Sequence, residues 1–200
     1  MKHSTEISPI LRDLRSLKVV VIHPPDEDRE ELLAQLQRIG CATEVFWPRV
    51  DSLPMDTGLV VMAVRPETLS LNYPWLGTNS SPPVIPVVTY ENPITIEAVL
   101  QLNAFTIIPS PVRSFGLLTA IAVALTQFKA SRLSQRYIER LEQKQAKLRV
   151  IQQAKQIMME TRGVSEEEAY QLLRAQAMLK REPIETVADA IIKARETLSF

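Results

Sequence analysis

Hydrophobic residues fall along this chain in two rhythms. Through the first 111 residues they come in short bursts: KVVVI, CATEVFW, GLVVMAV, PVIPVVTY and FTIIPS. Bursts of this length, rich in β-branched residues and bounded by Pro, Gly and polar clusters, predict five strands. In DREELLAQLQRIG, Leu32, Leu33, Leu36 and Ile39 share one helical face, and Gly40 suits the left-handed position that ends a helix. IEAVLQLNA predicts another helix. Pro86 inside the fourth burst demands a sheet edge or a distortion, because it brings no N–H to the ladder. The crossover from Arg65 to Pro82, rich in Pro, Asn, Ser and Gly, reads mostly as loop. Strand alternating with helix predicts an α/β fold, a doubly wound parallel sheet with helices on both faces, over residues 1–125.

The second rhythm is helical throughout. From Leu117 to Arg162 there is neither Gly nor Pro, so nothing interrupts a very long last helix. Tyr137, Leu141, Lys144, Leu148 and Ile151 recur at 4-3-4-3 spacing, a short coiled-coil seam with one polar position. Ile138, Leu141, Gln145 and Leu148 give a competing register. The seam predicts a homodimer joined through a linker helix over residues 126–152. Beyond it, Gly163 ends the long helix, and Ser165 with Glu168 forms an S-x-x-E capping box for the next. Ala169, Leu172, Leu173, Gln176 and Ala177 make one helical stripe. Pro183 suits the first turn of a third helix, whose stripe is Ile184, Val187, Ala188, Ile191 and Ile192. Short amphipathic helices are not stable alone, so both are expected to fold back on the long helix near Ile157 and Met158. That predicts a compact three-helix unit.

Charge changes the picture. The 200 residues balance to zero, yet residues 1–111 hold 8 Lys/Arg against 13 Asp/Glu, and residues 112–200 hold 15 against 10. Only the second half has the sign to meet a polyanion, although a solvated helical surface explains the same count. Between Lys129 and Lys155 stand 8 basic residues, Arg132, Arg136 and Arg140 among them, against Glu139 and Glu142. The single cysteine, Cys41, excludes an internal disulfide framework and reads as a buried small residue in a reducing cytoplasm. MKHSTEISPILRDLRS has no apolar signal-peptide core, and no apolar run approaches a membrane span. Two histidines, no Gly-rich phosphate loop and no recognisable carboxylate pair predict no enzyme, cofactor or metal site.

Two resemblances follow from particular residues. The segment QQAKQIMMETRGVSEEEAYQLLRAQAMLKREPIETVADAII is similar to the ANTAR domain of RNA-binding transcription antiterminators. Its landmarks are Ala154-Lys155, Met159, Gly163, Ser165, Ala169-Tyr170, Leu173-Arg174, Ala177-Met178 and Val187-Ala188. The N-terminal part resembles a flavodoxin-like response-regulator receiver. Joined, they resemble the amidase-operon antiterminators over nearly the whole chain, PPDEDREELLAQLQRIGCATEVFWP being particularly similar. The resemblance sets an ANTAR domain at 139–200, overlapping the end of the long helix.

The receiver resemblance also shows losses. The acidic pair after the first strand is replaced by His23 and Pro24, and the phosphoryl acceptor falls on or near Ala63. The lysine after the fifth strand is Ser110, and Thr89 stands at or within one residue of the usual Thr/Ser. Without an acceptor or an acidic pair there is neither a nucleophile nor a Mg²⁺ site, so no phosphorylation is expected. Asp26, Glu27 and Asp28 lie past the prolines and read as a solvated helix start. His23 reads as a hydrogen-bonded structural group.

The resemblance implies an antiterminator that binds hairpin loops of leader RNA as a dimer, so that a terminator hairpin does not form. It further implies a ligand-sensing protein that sequesters the chain. The residues suited to RNA are Lys155, Tyr170 and Arg174, followed by Arg162, Lys180 and Arg181: cations neutralise phosphate, and Tyr or Arg planes stack on unpaired bases. Each has a plainer reading. Tyr170 would cover a helix junction, Arg162 would meet helix-end carbonyls, and Lys180 and Arg181 would be solvated turn residues. An alternative is a DNA-binding, response-regulator-like transcription factor. Against it, the exposed side of the last helix carries Glu185, Asp189 and Glu196, which suits a recognition helix poorly. A protein-interaction adaptor built on the coiled coil is a third reading.

Overall fold

The structure is a computed structural model that describes residues 14–69, 72–78 and 80–198. The N-terminal stretch read above as lacking a signal core lies mostly outside the described residues. The chain divides into two compact units, one ending at Arg132 and one beginning at Leu133.

The first unit holds five parallel strands: β1 (Lys18–Ile22), β2 (Ala42–Phe46), β3 (Leu59–Val64), β4 (Val84–Val88) and β5 (Ile108–Pro109), in the order β2-β1-β3-β4-β5. Successive side chains point to opposite faces, so each apolar burst feeds two layers. Val19, Val21, Leu59, Val61, Ile85 and Val87 pack on one side. Val20, Ile22, Val60, Met62, Val64 and Val84 pack on the other. Both faces are buried, which is why the strands read as continuous apolar runs and not as alternation.

Helix α1 (Glu27–Ile39) covers the first face through Leu32 and Leu36. Asp26 caps it, accepting from the Arg29 N–H at 3.0 Å. Gly40 at φ 96° closes it, its N–H and that of Cys41 bonding the last-turn carbonyls of Gln37 and Leu36. Leu117, Ile121 and Ala124 of the long helix complete this layer. The second face is covered more by loop than by helix. No helix forms between β2 and β3, and the β3–β4 crossover, expected to be mostly loop, carries among its described residues only the short α2 (Pro66–Leu69). Pro48 and Pro54 break the first of these segments. Helix α3 (Pro93–Gln101) covers part of the face, and loop residues Val50, Tyr73 and Trp75 cover the rest. The Trp75 indole N–H donates to the Val50 carbonyl at 3.1 Å.

Pro86 lies inside the sheet, paired in register with Met62. The Pro83 carbonyl faces β3 and the Val88 carbonyl faces β5. By alternation, the side of Pro86 that lacks an N–H faces β5, whose pairing begins only at Val87. The proline is thus locally at an edge. Cys41 is buried, as expected, and burial pushes its thiol pKa up.

Helix α4 spans Ser114–Arg162, with non-helical backbone at Phe115 and Gly116, so its regular part begins at Leu117. The second unit contains the C-terminal part of α4, α5 (Glu166–Lys180) and α6 (Ile184–Leu198). Its core joins Ala154, Ile157 and Met158 of α4, Ala169, Leu173 and Ala177 of α5, and Val187, Ala188 and Ile192 of α6. The α5 stripe is narrower than expected: Leu172 and Gln176, at its far edge, are exposed. The small residues Ala154, Ala169, Ala177 and Ala188 bring the helices close, leaving no room for a wider buried face. The α6 stripe buries as expected, with Ile184 and Ile191 at its margins.

Candidate nucleic-acid interface and the altered receiver pocket

The three-helix unit is shaped by its caps. Gly163, at φ 64°, ends α4 by donating its N–H to the Met159 carbonyl at 3.0 Å. Two residues on, Ser165 starts α5 with the expected capping box: its hydroxyl accepts from the Glu168 N–H, and its own N–H donates to the Glu168 carboxylate at 2.9 Å. The Ser165 N–H and hydroxyl, both donating to the Glu168 carboxylate, hold its pKa below the usual carboxylate range. The far end of α5 closes without glycine. Arg181 takes a left-handed conformation (φ 55°), its N–H bonding the Met178 carbonyl and the Glu182 N–H bonding that of Ala177. This is the paired-bond closure in which glycine is the usual residue. Pro183 stands one position earlier than expected, at the N-cap, since its carbonyl accepts the first helical bond, from Val187 at 3.4 Å.

Three ion pairs tie the helices of this unit together or stiffen them. Lys155 of α4 meets Glu166 of α5 at 2.5 Å, Lys147 meets Glu185 at 3.3 Å, and Arg195 meets Glu160 at 2.7 Å. Lys155 is therefore not a free cation: its side chain is only 14% exposed. The bond from Lys155, helped by Gln152, holds the Glu166 carboxyl below its usual range.

The remaining basic residues behave differently. Arg149, Arg162, Arg174, Lys180 and Arg181 are exposed and pair with no acid among the described residues. Tyr170, Arg174 and Met178 stand at i, i+4 and i+8 on α5, beside its buried stripe. Tyr170 is 38% exposed and Met178 71%. Tyr170 borders a groove of about 450 Å³ whose other walls are Gln145, Leu148, Arg149, Ile151, Gln152 and Lys155. An aromatic ring, amides and the unpaired Arg149 guanidinium around one groove are suited to bases and phosphates. Of the residues expected to meet RNA, Arg162, Arg174, Lys180 and Arg181 do not line the groove.

Along α4 the expected seam is exposed. Leu133, Tyr137, Ile138, Leu141 and Leu148 all keep more than four-tenths of their surface in solvent. Ile151 differs, being partly covered by the C-terminal core of its own chain. By length and composition α4 passes as a membrane-crossing helix. Its most apolar stretch, however, is where Leu117, Ala120, Ile121 and Ala124 fill the core of the first unit.

In the first unit, the strand ends that carry phosphoryl chemistry in a receiver hold a different set of bonds. Ala63 is fully buried in β3. Asp26 and Asp28 do stand at a helix start, but they are bonded and part-buried and not simply solvated as the sequence suggested, Asp26 keeping 36% of its side chain exposed. Asp26 accepts from Arg65 at 3.4 Å, and Arg65 also donates to the Thr89 hydroxyl at the end of β4. Asp28 accepts from the Ser110 hydroxyl and, at 2.7 Å, from the Val112 N–H. Burial works to raise the Asp28 pKa, but those two bonds and the nearby His23 and Arg65 bring it below the usual range. Glu27 is exposed, as the sequence suggested. The imidazole Nδ1 of His23 lies 3.1 Å from Asp26 and 3.2 Å from the Pro24 carbonyl, both acceptors, so Nδ1 carries the hydrogen. Its Nε2 is buried without a partner. This network lies at the C-terminal edge of the strands, where the strand order reverses and such sheets hold their ligands. Arg65 supplies there the positive charge that a metal would supply, from within the chain. Nothing in the residue pattern singles out Arg65, since a cation after a strand is ordinary.

A five-stranded receiver-like domain followed by a long helix and a three-helix unit is the build of a two-domain regulator. Residues 17–125, just over half of the chain, match the family model described as AmiR, N-terminal, and residues 139–192 match that of the ANTAR domain, so the chain belongs to the AmiR family and carries an ANTAR domain. It is similar to the Aliphatic amidase regulator of Pseudomonas aeruginosa, 28% identical over 185 residues, which is 92% of this chain and 94% of that protein. Among solved structures it is similar to the response regulator StyR, 20% identical, covering 90% of this chain and 99% of that one at a TM-score of 0.49. Full-length FixJ from B. japonicum is 17% identical, covering 87% of this chain and 96% of that one at a TM-score of 0.47.

Proposed function

We propose that this chain is a cytoplasmic transcription antitermination regulator, not an enzyme, that binds hairpin loops of leader RNA as a homodimer. The observation that carries this reading is the unpaired Arg174 one helical turn from the exposed Tyr170, with a second unpaired arginine, Arg181, at the far end of the same helix, within the residues that match the ANTAR domain. Cations without acidic partners are free to displace counterions from phosphate, and an exposed aromatic edge offers a stacking surface for an unpaired base. Arg162 and Lys180, exposed at the ends of α4 and α5, and the paired Lys155 are the further cations of this unit. Tyr137, Leu141, Lys144, Leu148 and Ile151 join two copies, and linking two RNA-binding units raises avidity for paired hairpins.

Control comes from sequestration by a ligand-sensing partner protein and not from phosphorylation. Two features support this. The acids of the former phosphorylation pocket are engaged by Arg65, Ser110 and the Val112 N–H. The first unit also exposes an apolar surface around Ile107, Leu118, Val123 and Phe115, the last 97% exposed, beside a groove of about 650 Å³. Surfaces of this kind mark protein contacts.

Gel-shift titration with RNA carrying two adjacent hairpins, against duplex DNA of equal charge, tests the reading. Preference for the RNA is expected, and equal affinity for the DNA overturns it in favour of a DNA-binding regulator. Arg174→Ala and Tyr170→Ala are each expected to weaken RNA binding about tenfold, as loss of a phosphate or stacking contact does. Dimerisation and helicity stay unchanged. Loss of dimer or helix content would show that these residues are structural.

A further inference from the structure

The groove between α4 and α5 divides its two cations between different tasks. Lys155 points at Glu166 and is mostly enclosed, while Arg149, on the opposite wall from Tyr170, is exposed and has no acidic partner among the described residues. A cation already paired at 2.5 Å has little left for phosphate, whereas an unpaired guanidinium presents its full donor fork. Gln145 lines the same groove, and an amide carries both a donor and an acceptor for a base edge. Leu148 and Ile151 supply an apolar wall, so the ring that enters is desolvated on one side.

We propose that this groove takes one unpaired nucleobase, stacked on Tyr170 and read by Gln145, with the adjoining phosphate held by Arg149, and that Lys155 is a positioning residue that sets α5 against α4 through Glu166. This deepens the RNA-binding reading and rests on it. It names residues of α4, Arg149 and Gln145, that no family landmark pointed to, and it removes Lys155 from the direct contacts. A second protein copy is the competing occupant, because Leu148 and Ile151 also belong to the dimer seam and Gln145 to its competing register. The unpaired arginine and the two glutamines on the walls favour a polyanion with readable edges over an apolar helix.

The test uses the full chain and hairpin RNA selected against it from a library with randomised loops. Failure to enrich any hairpin overturns the RNA-binding reading itself. With a selected hairpin in hand, loop nucleotides are replaced one at a time by abasic residues. One position is expected to cost wild type about tenfold in affinity and Tyr170→Ala almost nothing further, the sign that ring and base are the same contact. Arg149→Ala should weaken binding and lower the slope of log K against log salt by about one. Lys155→Met and Glu166→Gln should weaken it with the slope unchanged. Hairpin binding that is insensitive to Arg149→Ala and Gln145→Ala, or a Lys155→Met variant whose slope falls by one, overturns the assignment while leaving the RNA-binding reading in place. Arg149→Ala that shifts the dimer equilibrium and not RNA affinity gives the groove to the second copy and also overturns it.

Discussion

Arg65 and Thr89 are bonded side chain to side chain across the ends of β3 and β4, the guanidinium donating to the hydroxyl. The same guanidinium meets Asp26 beyond β1, so one cation ties together three strand ends that a receiver joins through a metal and a phosphoryl group. Incubation with acetyl phosphate and Mg²⁺ is therefore expected to leave the mass of the chain unchanged. An acid-labile phosphoryl adduct on residues 1–111 would contradict this. Arg65→Ala, which removes the guanidinium from Asp26 and Thr89 at a part-exposed site but leaves Asp26 its bonds to the Arg29 N–H and His23, should lower the stability of the first unit by about 1 kcal/mol in urea titration.

Asp28 carries a pH dependence. Burial opposes its charge, yet the bonds from Ser110 and the Val112 N–H outweigh it, and its folded-state pKa lies below the unfolded one. Such a group stabilises fully above the unfolded pKa and loses that contribution as pH falls through the folded one. Stability of the first unit should thus fall below the ordinary carboxylate range, and Asp28→Asn should flatten that limb. An unchanged acid limb in the variant would show that other carboxylates set it.

Arg181 holds a backbone conformation that costs a side-chain-bearing residue roughly 1 kcal/mol. Arg181→Gly is expected to raise the stability of the second unit by about that amount while weakening RNA binding. A variant that is more stable and binds equally well would reduce Arg181 to a helix-end residue.

Leu173 is fully enclosed at the centre of the three-helix core, one residue before Arg174. Leu173→Ala should cost about 2–5 kcal/mol by thermal or chemical unfolding. Arg174→Ala, at an exposed position, should change stability by less than about 0.5 kcal/mol.

Leu141 is nearly half exposed in a single copy although it lies in both possible seam registers. Leu141→Asp is expected to shift sedimentation from dimer to monomer. A dimer that survives it would place self-association elsewhere.

The sequence was most informative where a feature depends on neighbours a few residues away. The capping box of Ser165 and Glu168, the left-handed turns at Gly40 and Gly163, and the Gly- and Pro-free length of α4 are local rules, and each appears where its residues stand. The strand bursts were legible because both faces of the sheet are buried. What escaped was non-local or broke a habit. Asp28 finds Ser110 across 82 residues and Lys155 finds Glu166 across 11, distances over which no periodicity reports contact. The closure of α5 was hidden because it uses arginine where the pattern looks for glycine. The Arg65–Pro82 crossover was legible as loop, but that Val50, Tyr73 and Trp75 would cover the second face was not, because they serve the core without helical spacing.

The links that join α4 to α5 and α5 to α6 are only residues 163–165 and 181–183, and the caps take up their backbone bonds. So short and tightly capped a pair of connections leaves the surface around Tyr170 and Arg174 little freedom to surrender. A ligand docking there meets a surface already preorganised by folding, and the entropy of association falls on the ligand. For an RNA loop this rewards sequences whose free hairpin already splays the right base outward. Discrimination between hairpins would then reside as much in the stiffness of the RNA as in the contacts of the protein.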